Sequence, residues 1–335
     1  MSNNMTSLMA AEAAETADRI AEQLDKNLPA VQRVVDLIRL KRPELVYMVG
    51  RGSSDHAGVF AKYLIEIELG IPVTAAAPSI ASVYHRQLKL EKALVLVLSQ
   101  SGRSPDILAQ VAMAKASGAM VIAIVNDAES PLAQTADVTL PILAGEERAV
   151  AATKSYLATL SVLLQLVACW SGNQELQEGL KRLPALLRDA QALPAQLTAD
   201  SLRQISHCVV LGRGLGYAIA REIALKLKEV CGIQAEAFSS AEFIHGPVTL
   251  VQPGFALISV DIADESQAVH LTQVADIESR GGLIQVLHVG GLTAHPRLLP
   301  LLVLQRFYLD IEVVARSLGV NPDAPPGLNK VTQTV

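Results

Sequence analysis

A run of hydroxyl and amide side chains in the first third of the chain has the composition of a phosphate-binding loop, and we call it the serine loop. Its residues are Ser99, Gln100, Ser101, Gly102, Arg103, Ser104, Pro105 and Asp106. Between a strand and a helix start, such a loop gathers O–H donors, backbone N–H groups and the positive end of the helix dipole, which suits a phosphomonoester. Helix capping is the alternative, but it accounts only for the last three residues of the loop. We therefore favour the phosphate site.

A second group of residues could move protons. Lys226 and Glu229 are three positions apart and therefore share one face of a predicted helix. His245 follows in a His-Gly-Pro turn, and histidine changes its charge near neutral pH. A solvated ion pair and a structural histidine are the plain alternatives. The presence of all three in one part of the chain favours acid–base catalysis.

The elements that position these residues alternate between strands and helices. Buried strands are predicted at Leu45–Val49, Ala93–Leu98, Met120–Val125 and Val138–Pro141, and a clear helix at Pro105–Ala116. This alternation is typical of a doubly wound parallel sheet in an α/β fold. Further helices are predicted at Leu8–Leu24, Leu28–Leu40, Thr153–Trp170, Gln174–Asp200 and Leu298–Leu318, and later strands at Ala256–Asp261 and Leu283–Val289.

The chain also repeats itself. Gly50-Arg51-Gly52 recurs as Gly212-Arg213-Gly214 at an offset of 212 − 50 = 162 residues, and Gly70-Ile71 recurs at the same offset as Gly232-Ile233. We therefore predict two similar flavodoxin-like units, each with a five-stranded parallel sheet. The copies differ where chemistry is expected. In the serine loop only Ser104 has a counterpart, Ser266, whereas Ser99, Gln100 and Ser101 have none, and Val83 stands opposite His245.

Composition narrows the function. The 335 residues carry a net charge of −5 and no long basic run, which argues against nucleic acid as a partner. Only 4% of the residues are aromatic, which favours a small polar ligand. No apolar stretch is long enough for a membrane span, and Cys169, Cys208 and Cys231 are scattered as in proteins of a reducing compartment. We therefore expect a cytoplasmic protein that does not bind membranes.

Taken together, the motifs resemble the sugar isomerase (SIS) domain family, most closely the isomerase half of glucosamine-6-phosphate synthase, over nearly the whole chain. They are Gly52-Ser53-Ser54, Ser99–Gly102, Val150–Lys154, Leu225–Glu229, Ala235–Ala237, His245-Gly246-Pro247 and Leu328-Asn329-Lys330. The implied organisation is N-terminal helices at 1–40, a phosphate-binding SIS domain at 41–172, a linking helix at 173–200, a second SIS domain with the acid–base residues at 201–320, and a tail at 321–335.

The resemblance also implies roles for individual residues. Glu229 would move a proton between C1 and C2 of a sugar phosphate, His245 would assist ring opening, and Lys330 would contact the carbonyl end of the open sugar. Lys226 would support this group, and Ala152 would lie near the sugar. The phosphate would be held by Ser54, Ser99, Gln100, Ser101 and Ser104. The resemblance further implies a homodimer in which the histidine comes from the partner chain. No metal or redox cofactor is expected, since no His/Cys cluster or dinucleotide fingerprint is present.

The synthase carries a glutaminase domain that releases ammonia from glutamine, whereas this sequence begins with a short helical lead. We therefore expect the hydrolytic direction, a glucosamine-6-phosphate deaminase. A plain aldose–ketose isomerase, a fructosamine-6-phosphate deglycase and a non-catalytic sugar-phosphate sensor are the alternatives. Arg103 and Ala152 depart from the synthase pattern and leave the sugar open, galactosamine 6-phosphate included. Arg103 itself fits either a phosphate contact or a solvent-facing position.

Overall fold

The structure is a computed structural model that describes residues 6–330. They form two compact units. The first unit consists of residues 18–146 and 154–181, and the second of residues 6–17, 147–153 and 182–330. Residues 1–5 of the predicted N-terminal segment and 331–335 of the predicted tail lie outside the described residues.

The described chain opens with two helices, α1 at Leu8–Ala14 and α2 at Thr16–Lys41. The predicted break before Leu28 is wrong, because α2 continues through Pro29. After Pro29, three apolar residues on α2 are at most 1% exposed, namely Val31, Val34 and Ile38. Burial of this apolar face outweighs the one helical hydrogen bond that proline cannot donate.

The first sheet is parallel, with the strand order β2-β1-β3-β4-β5. Its strands are β1 (Leu45–Val49), β2 (Val73–Ala75), β3 (Ala93–Ser99), β4 (Met120–Val125) and β5 (Val138–Pro141). The helices of this region are α3 (Ser53–Leu69), α4 (Ser79–Ser82), α5 (Pro105–Ala116), α6 (Pro131–Thr135) and α7 (Lys154–Ser171). This confirms the predicted five-stranded flavodoxin-like order. The serine loop leaves the carboxyl end of β3 and leads into α5.

Two helices follow, α8 at Gln174–Ala192 and α9 at Ala199–Leu202. The helix predicted to run to Asp200 therefore ends eight residues early, since 200 − 192 = 8. Pro194 lies two positions beyond the end of α8, and a proline disfavours helical backbone in the residue before it. The short α9 is a separate helix with its own capping box, formed by Thr198 and Ser201.

The second sheet is also parallel, with the order β7-β6-β8-β9. Its strands are β6 (His207–Gly212), β7 (Gln234–Ser239), β8 (Phe255–Val260) and β9 (Gly282–Leu287). Its helices are α10 (Leu215–Cys231), α11 (Ser240–Ile244), α12 (Gln267–Ser279) and α13 (Leu299–Ser317), with 3₁₀ turns at Pro247–Leu250 and Pro296–Leu298. Four strands within residues 6–330 replace the five predicted, because the chain after β9 passes into a 3₁₀ turn and α13.

The two copies of the Gly-Arg-Gly turn have the same backbone conformation. Gly52 precedes α3 with φ 54° and ψ −128°, and Gly214 precedes α10 with φ 54° and ψ −126°. Both helices end at a left-handed glycine, Gly70 and Gly232. Such positive φ values favour glycine. The duplication at an offset of 162 residues is therefore confirmed in three dimensions.

No helix between residues 6 and 330 is long and apolar enough to cross a membrane.

Candidate active site

The side chain of Ser99, the first residue of the serine loop, stabilises the turn of that loop. Ser99 is 8% exposed, and its Oγ accepts a hydrogen bond from the backbone N–H of Gly102 at 3.0 Å. The backbone carbonyl of Gln100 accepts from the N–H of Asn126, which follows β4, at 3.3 Å. Gly102 has φ 64°. Ser99 therefore builds the turn, and its hydroxyl proton is the part left for a ligand.

Ser101 and Ser104 are the hydroxyls of the loop best suited to a ligand. Both are half-buried, and the hydrogen bonds between residues 6 and 330 include none from either hydroxyl. Ser104 is the N-cap residue of α5, as the capping alternative requires, but its side chain makes no capping bond. The hydroxyl groups thus stand at a helix start, where the backbone dipole favours an anion. Ser54, the fifth predicted phosphate residue, is half-buried in the first turn of α3.

An ion pair that the sequence did not reveal fastens the helix behind the serine loop. Arg51 lies in the Gly-Arg-Gly turn after β1, and its Nε and Nη2 atoms are each 2.7 Å from Oδ2 of Asp106. The side chain of Asp106 is fully buried in the first turn of α5. In the second copy, Ala268 stands opposite Asp106 at the offset of 162, so that Arg213 lacks this partner. The pair is therefore specific to the unit that carries the serines.

Arg103 lies beside the loop rather than in it. Its Nη2 atom is 2.6 Å from Oδ2 of Asp127, and more than a third of each side chain is exposed. The hydrogen bond from Arg103 is the largest of the effects that hold the pKa of Asp127 below its usual value. Arg103 is thus a surface cation that already has a carboxylate partner, which agrees with the solvent-facing interpretation.

Replacing Gly102 by alanine should weaken phosphate binding by roughly tenfold or more, since about 1–2 kcal/mol of left-handed strain acts with a steric clash. A Cβ atom there would lie 2.3 Å from Oγ of Ser130. The check is calorimetric titration with glucosamine 6-phosphate. Gly118→Ala is the matched control, because Gly118 also has a positive φ, 81°, but faces open space. Equal affinity in the two variants would contradict a role for the loop in binding.

The corresponding loop of the second unit, after β8, is acidic, and its hydroxyl is occupied. Asp264 accepts hydrogen bonds from the backbone N–H and the Oγ of Ser266, at 2.8 and 2.6 Å. Glu265 forms two hydrogen bonds with Arg297, at 2.7 and 2.8 Å, and they lower the pKa of Glu265 to about 2. This loop would repel a phosphate, as the difference between the copies predicts.

Two of the proton-transfer candidates, Lys226 and Glu229, lie on one face of α10 together with Glu222. We call these three residues the lysine cluster. The Nζ atom of Lys226 is 3.2 Å from Oε1 of Glu222 and 2.5 Å from Oε2 of Glu229. Lys226 is 1% exposed and the Glu222 side chain 0%, whereas the Glu229 side chain is 21% exposed. Glu229 is therefore the member of the cluster that a substrate can reach.

Electrostatics keep the buried lysine charged. Burial on its own would lower the pKa of Lys226, but the two carboxylates outweigh it and raise the pKa above its ordinary value. A buried ammonium between two carboxylates holds both oxygens in place and stabilises their negative charge. Lys226 and Glu229 thus share one face of the helix, as their spacing predicts, and the contact between them is not a solvated surface pair.

Two members of this arrangement were missed from the sequence. Glu222 precedes Lys226 by four residues, so the spacing of neighbours on a helix could have found it. Tyr308, on α13, donates a hydrogen bond to Oε1 of Glu222 at 3.4 Å and is itself fully buried. No local signal predicts that contact, because the two residues are 86 positions apart.

Lys330 contacts residues 147–153 of the second unit, and Ala152 belongs to this segment. The Nζ atom of Lys330 donates to Oε2 of Glu147 at 2.8 Å and to the carbonyl oxygen of Ala149 at 2.7 Å. Ala152 is half-buried in the same stretch of chain, residues 147–153. Glu147 is a further residue that sequence reasoning missed.

His245 stands apart from the lysine cluster. It is exposed at the end of α11, and its backbone N–H donates to the carbonyl of Glu242 at 3.1 Å. The hydrogen bonds and ion pairs of the described chain do not link it to Lys226, Glu229 or Lys330. Its exposed position leaves it accessible to a substrate or a partner.

The three cysteines do not have the character of nucleophiles. Burial raises the pKa of Cys208 and of Cys231 to about 12. Burial likewise raises the pKa of Cys169, which is half-buried. Thiols with such values are largely protonated near neutral pH and react slowly.

The sequence and the fold of this chain are similar to those of known proteins. The model of the SIS domain family matches residues 40–169 and 201–287, more than half of the chain. The chain belongs to the SIS domain family. A relative from Sulfurisphaera tokodaii, a glutamine–fructose-6-phosphate aminotransferase (isomerizing), is 31% identical over 278 residues. That match covers 82% of this chain but 45% of the relative, so the chain spans about half the length of such proteins.

Two solved structures share the fold over nearly the whole chain. One is a protein from Silicibacter pomeroyi DSS-3 with a proposed phosphosugar isomerase activity; it is 36% identical with a TM-score of 0.89, and the match covers 95% of this chain and 100% of that one. The other is a glucosamine-6-phosphate deaminase from Thermotoga maritima, 23% identical with a TM-score of 0.79, covering 98% of this chain and 100% of the other. The second likeness shows the fold alone. The SIS protein described here is thus related to the isomerase part of the aminotransferases.

Proposed function

We propose that this SIS protein is an amino-sugar-phosphate deaminase that converts glucosamine 6-phosphate and water to fructose 6-phosphate and ammonia. The observation that carries the proposal is Glu229, a partly exposed carboxylate fixed by the buried ammonium of Lys226 at 2.5 Å. A carbon acid next to an imine or carbonyl needs such a carboxylate base, and general-base catalysis typically contributes about 10²–10⁴-fold in rate.

The proposed steps use the predicted residues in order. His245 assists the transfer of the O1 proton to the ring oxygen, and the ring opens to the aldehyde. Glu229 removes the proton from C2 while the aldehyde oxygen takes up a proton, which gives an enolamine. The proton on Glu229 then returns at C1 while the amino nitrogen gives up a proton, which leaves the ketimine of fructose 6-phosphate. Water adds to the ketimine carbon, and ammonia leaves. Lys330 donates a hydrogen bond to the oxygen on C1 during the proton transfer.

The serine loop would hold the phosphate group of a sugar phosphate. Phosphate binding far from C1 and C2 supplies positioning energy, which makes the proton transfer effectively intramolecular. The two hydroxyls without a described bond, Ser101 and Ser104, support this role. In the proposal His245 serves the site of a second copy of the chain, in keeping with its exposed position.

We favour the hydrolytic direction because it needs fewer reactants. Hydrolysis consumes only the amino sugar phosphate and water, whereas amination of fructose 6-phosphate also needs a source of ammonia. The relation to aminotransferases that act on fructose 6-phosphate supports the substrate class.

The experiment is to incubate the purified protein with glucosamine 6-phosphate and to measure ammonia and fructose 6-phosphate together. Equal amounts of both products are expected. Parallel incubations with galactosamine 6-phosphate, fructosamine 6-phosphate and glucose 6-phosphate identify the sugar. Ketose formed from glucose 6-phosphate, with no ammonia from any amino sugar, would replace the deaminase with a plain isomerase. Binding without turnover of any of these sugars would replace it with a sensor.

A further inference from the structure

We propose that Glu147 is the positioning residue of Lys330, held in place by three segments that we call the tail clamp: residues 7–14, 147–153 and 321–330. The catalytic part of this proposal rests on the function proposed above.

The contact is a buried ion pair with a second acceptor beside it. Oε2 of Glu147 and the carbonyl oxygen of Ala149 accept from Nζ of Lys330 at 2.8 and 2.7 Å. The side chain of Glu147 is 0% exposed and that of Lys330 is 24% exposed. A lysine ammonium has three N–H donors. Two of them are used here, so one is left for a substrate oxygen, and its direction is set by the other two.

The side chain of Glu147 is also held by a hydrogen bond that does not involve the tail. Its Oε1 atom accepts from the backbone N–H of Thr153 at 3.0 Å, so the carboxylate bridges its own loop and the tail. The next two backbone N–H groups, of Arg148 and Ala149, donate to the carboxylate of Glu12 at 2.5 and 3.2 Å. Glu12 lies on α1 and is 5% exposed.

Asp323 fastens the tail to the other two segments. Its carboxylate accepts from the first backbone N–H groups of α1, those of Leu8 and Met9, at 2.9 and 2.8 Å. Its backbone carbonyl accepts from the N–H of Val150 at 3.0 Å. A carboxylate at a helix start is stabilised by the helix dipole. The tail is therefore held seven residues before Lys330, since 330 − 323 = 7, and again at Lys330 itself.

These bonds explain why a flexible lysine near the end of the chain can have one position. Lysine has four rotatable bonds, and a free side chain would spend little of its time in any one orientation. The buried carboxylate removes that freedom before a substrate binds. A displacement of about 1 Å at a catalytic group can reduce the rate about a hundredfold.

The first test is kinetic. Glu147→Gln is expected to lower kcat for ammonia release about 10–100-fold, with KM changed less than about threefold. Glu146→Gln is the matched control, because Glu146 is the exposed neighbour in sequence. Glu147→Asp, which keeps the charge, should recover part of the rate. The double variant Glu147→Gln/Lys330→Ala should be no slower than Lys330→Ala alone, because both changes remove one function. Additive losses in the double variant would overturn the proposal.

The second test does not depend on any activity. Acetylation of the folded protein with acetic anhydride, followed by mass spectrometry, measures how accessible Lys330 is. Glu147→Gln is expected to raise its labelling rate several-fold, whereas Glu146→Gln leaves it unchanged. Unchanged labelling in Glu147→Gln would show that the carboxylate does not hold the lysine. If the wild type lacks deaminase activity but the labelling rises as expected, the proposed function fails and the contact between Glu147 and Lys330 stands.

Discussion

Replacing Glu229 by glutamine is expected to lower kcat for ammonia release by about 10²–10⁴-fold, the usual contribution of a general base. Glutamine keeps the shape of the side chain and can still accept a hydrogen bond from Lys226, but it cannot take the C2 proton. KM for glucosamine 6-phosphate should change little, because the residues proposed to bind the phosphate are unchanged. The measurement is a steady-state assay of ammonia together with a thermal unfolding scan.

Glu278→Gln is the control for this variant, since it makes the same chemical change on an exposed glutamate of α12. It should leave both kcat and the unfolding temperature unchanged. Activity retained in Glu229→Gln would remove Glu229 as the base, even if the protein proves to be a deaminase. If Glu229→Gln loses activity and also unfolds, Glu229→Asp separates the two causes. This variant keeps the carboxylate and should retain measurable turnover if Glu229 is the base.

Replacing Lys226 by methionine is expected to destabilise the second unit by about 3–5 kcal/mol, the cost of leaving a buried charge without its partner. The side chain of Glu222 is 0% exposed and would lose the ammonium 3.2 Å away. Urea unfolding, followed by hydrogen exchange of the backbone amides of α10, measures the loss. Lys228→Met is the matched control, because Lys228 is an exposed lysine on the same helix.

The double variant Lys226→Met/Glu222→Gln separates charge from packing. It removes the negative charge of Glu222 along with the ammonium, so it should recover most of the lost stability. If Lys226→Met and Lys228→Met are equally stable, the buried ion pair does not hold α10 in place. If the double variant is no better than Lys226→Met, the loss comes from packing of the lysine stem rather than from the charge of Glu222.

Much of the fold follows from local patterns. Met120–Val125, Val138–Pro141 and Pro105–Ala116 are found with the predicted bounds, because apolar strands and a proline at a helix start are decided within a few residues. The break predicted before Leu28 is wrong because burial of a long helix face keeps α2 continuous through Pro29. The number of strands in the second sheet, four within residues 6–330, could not be predicted from the repeat, because the first copy has five.

Some contacts of the candidate site could likewise be predicted from the sequence, and others could not. Lys226 and Glu229 could be paired from their spacing on one helix, and Ser101 and Ser104 from their position after a strand. Contacts between distant parts of the chain could not, as with Glu147 and Lys330, which are 183 positions apart. Such pairs depend on the packed fold, and a sequence pattern of a few residues contains no record of them.

The path of the chain through the two units sets an order of events during synthesis. The described residues of the first unit lie between 18 and 181, so all of them have been made before residue 182 is added. The second unit begins with α1, yet Asp323, which accepts from the first N–H groups of that helix, follows Leu8 by 315 positions. The helix α1 therefore leaves the ribosome long before Asp323 and stays uncapped by Asp323 until that residue has been made. Truncation before Asp323 would leave α1 without this carboxylate.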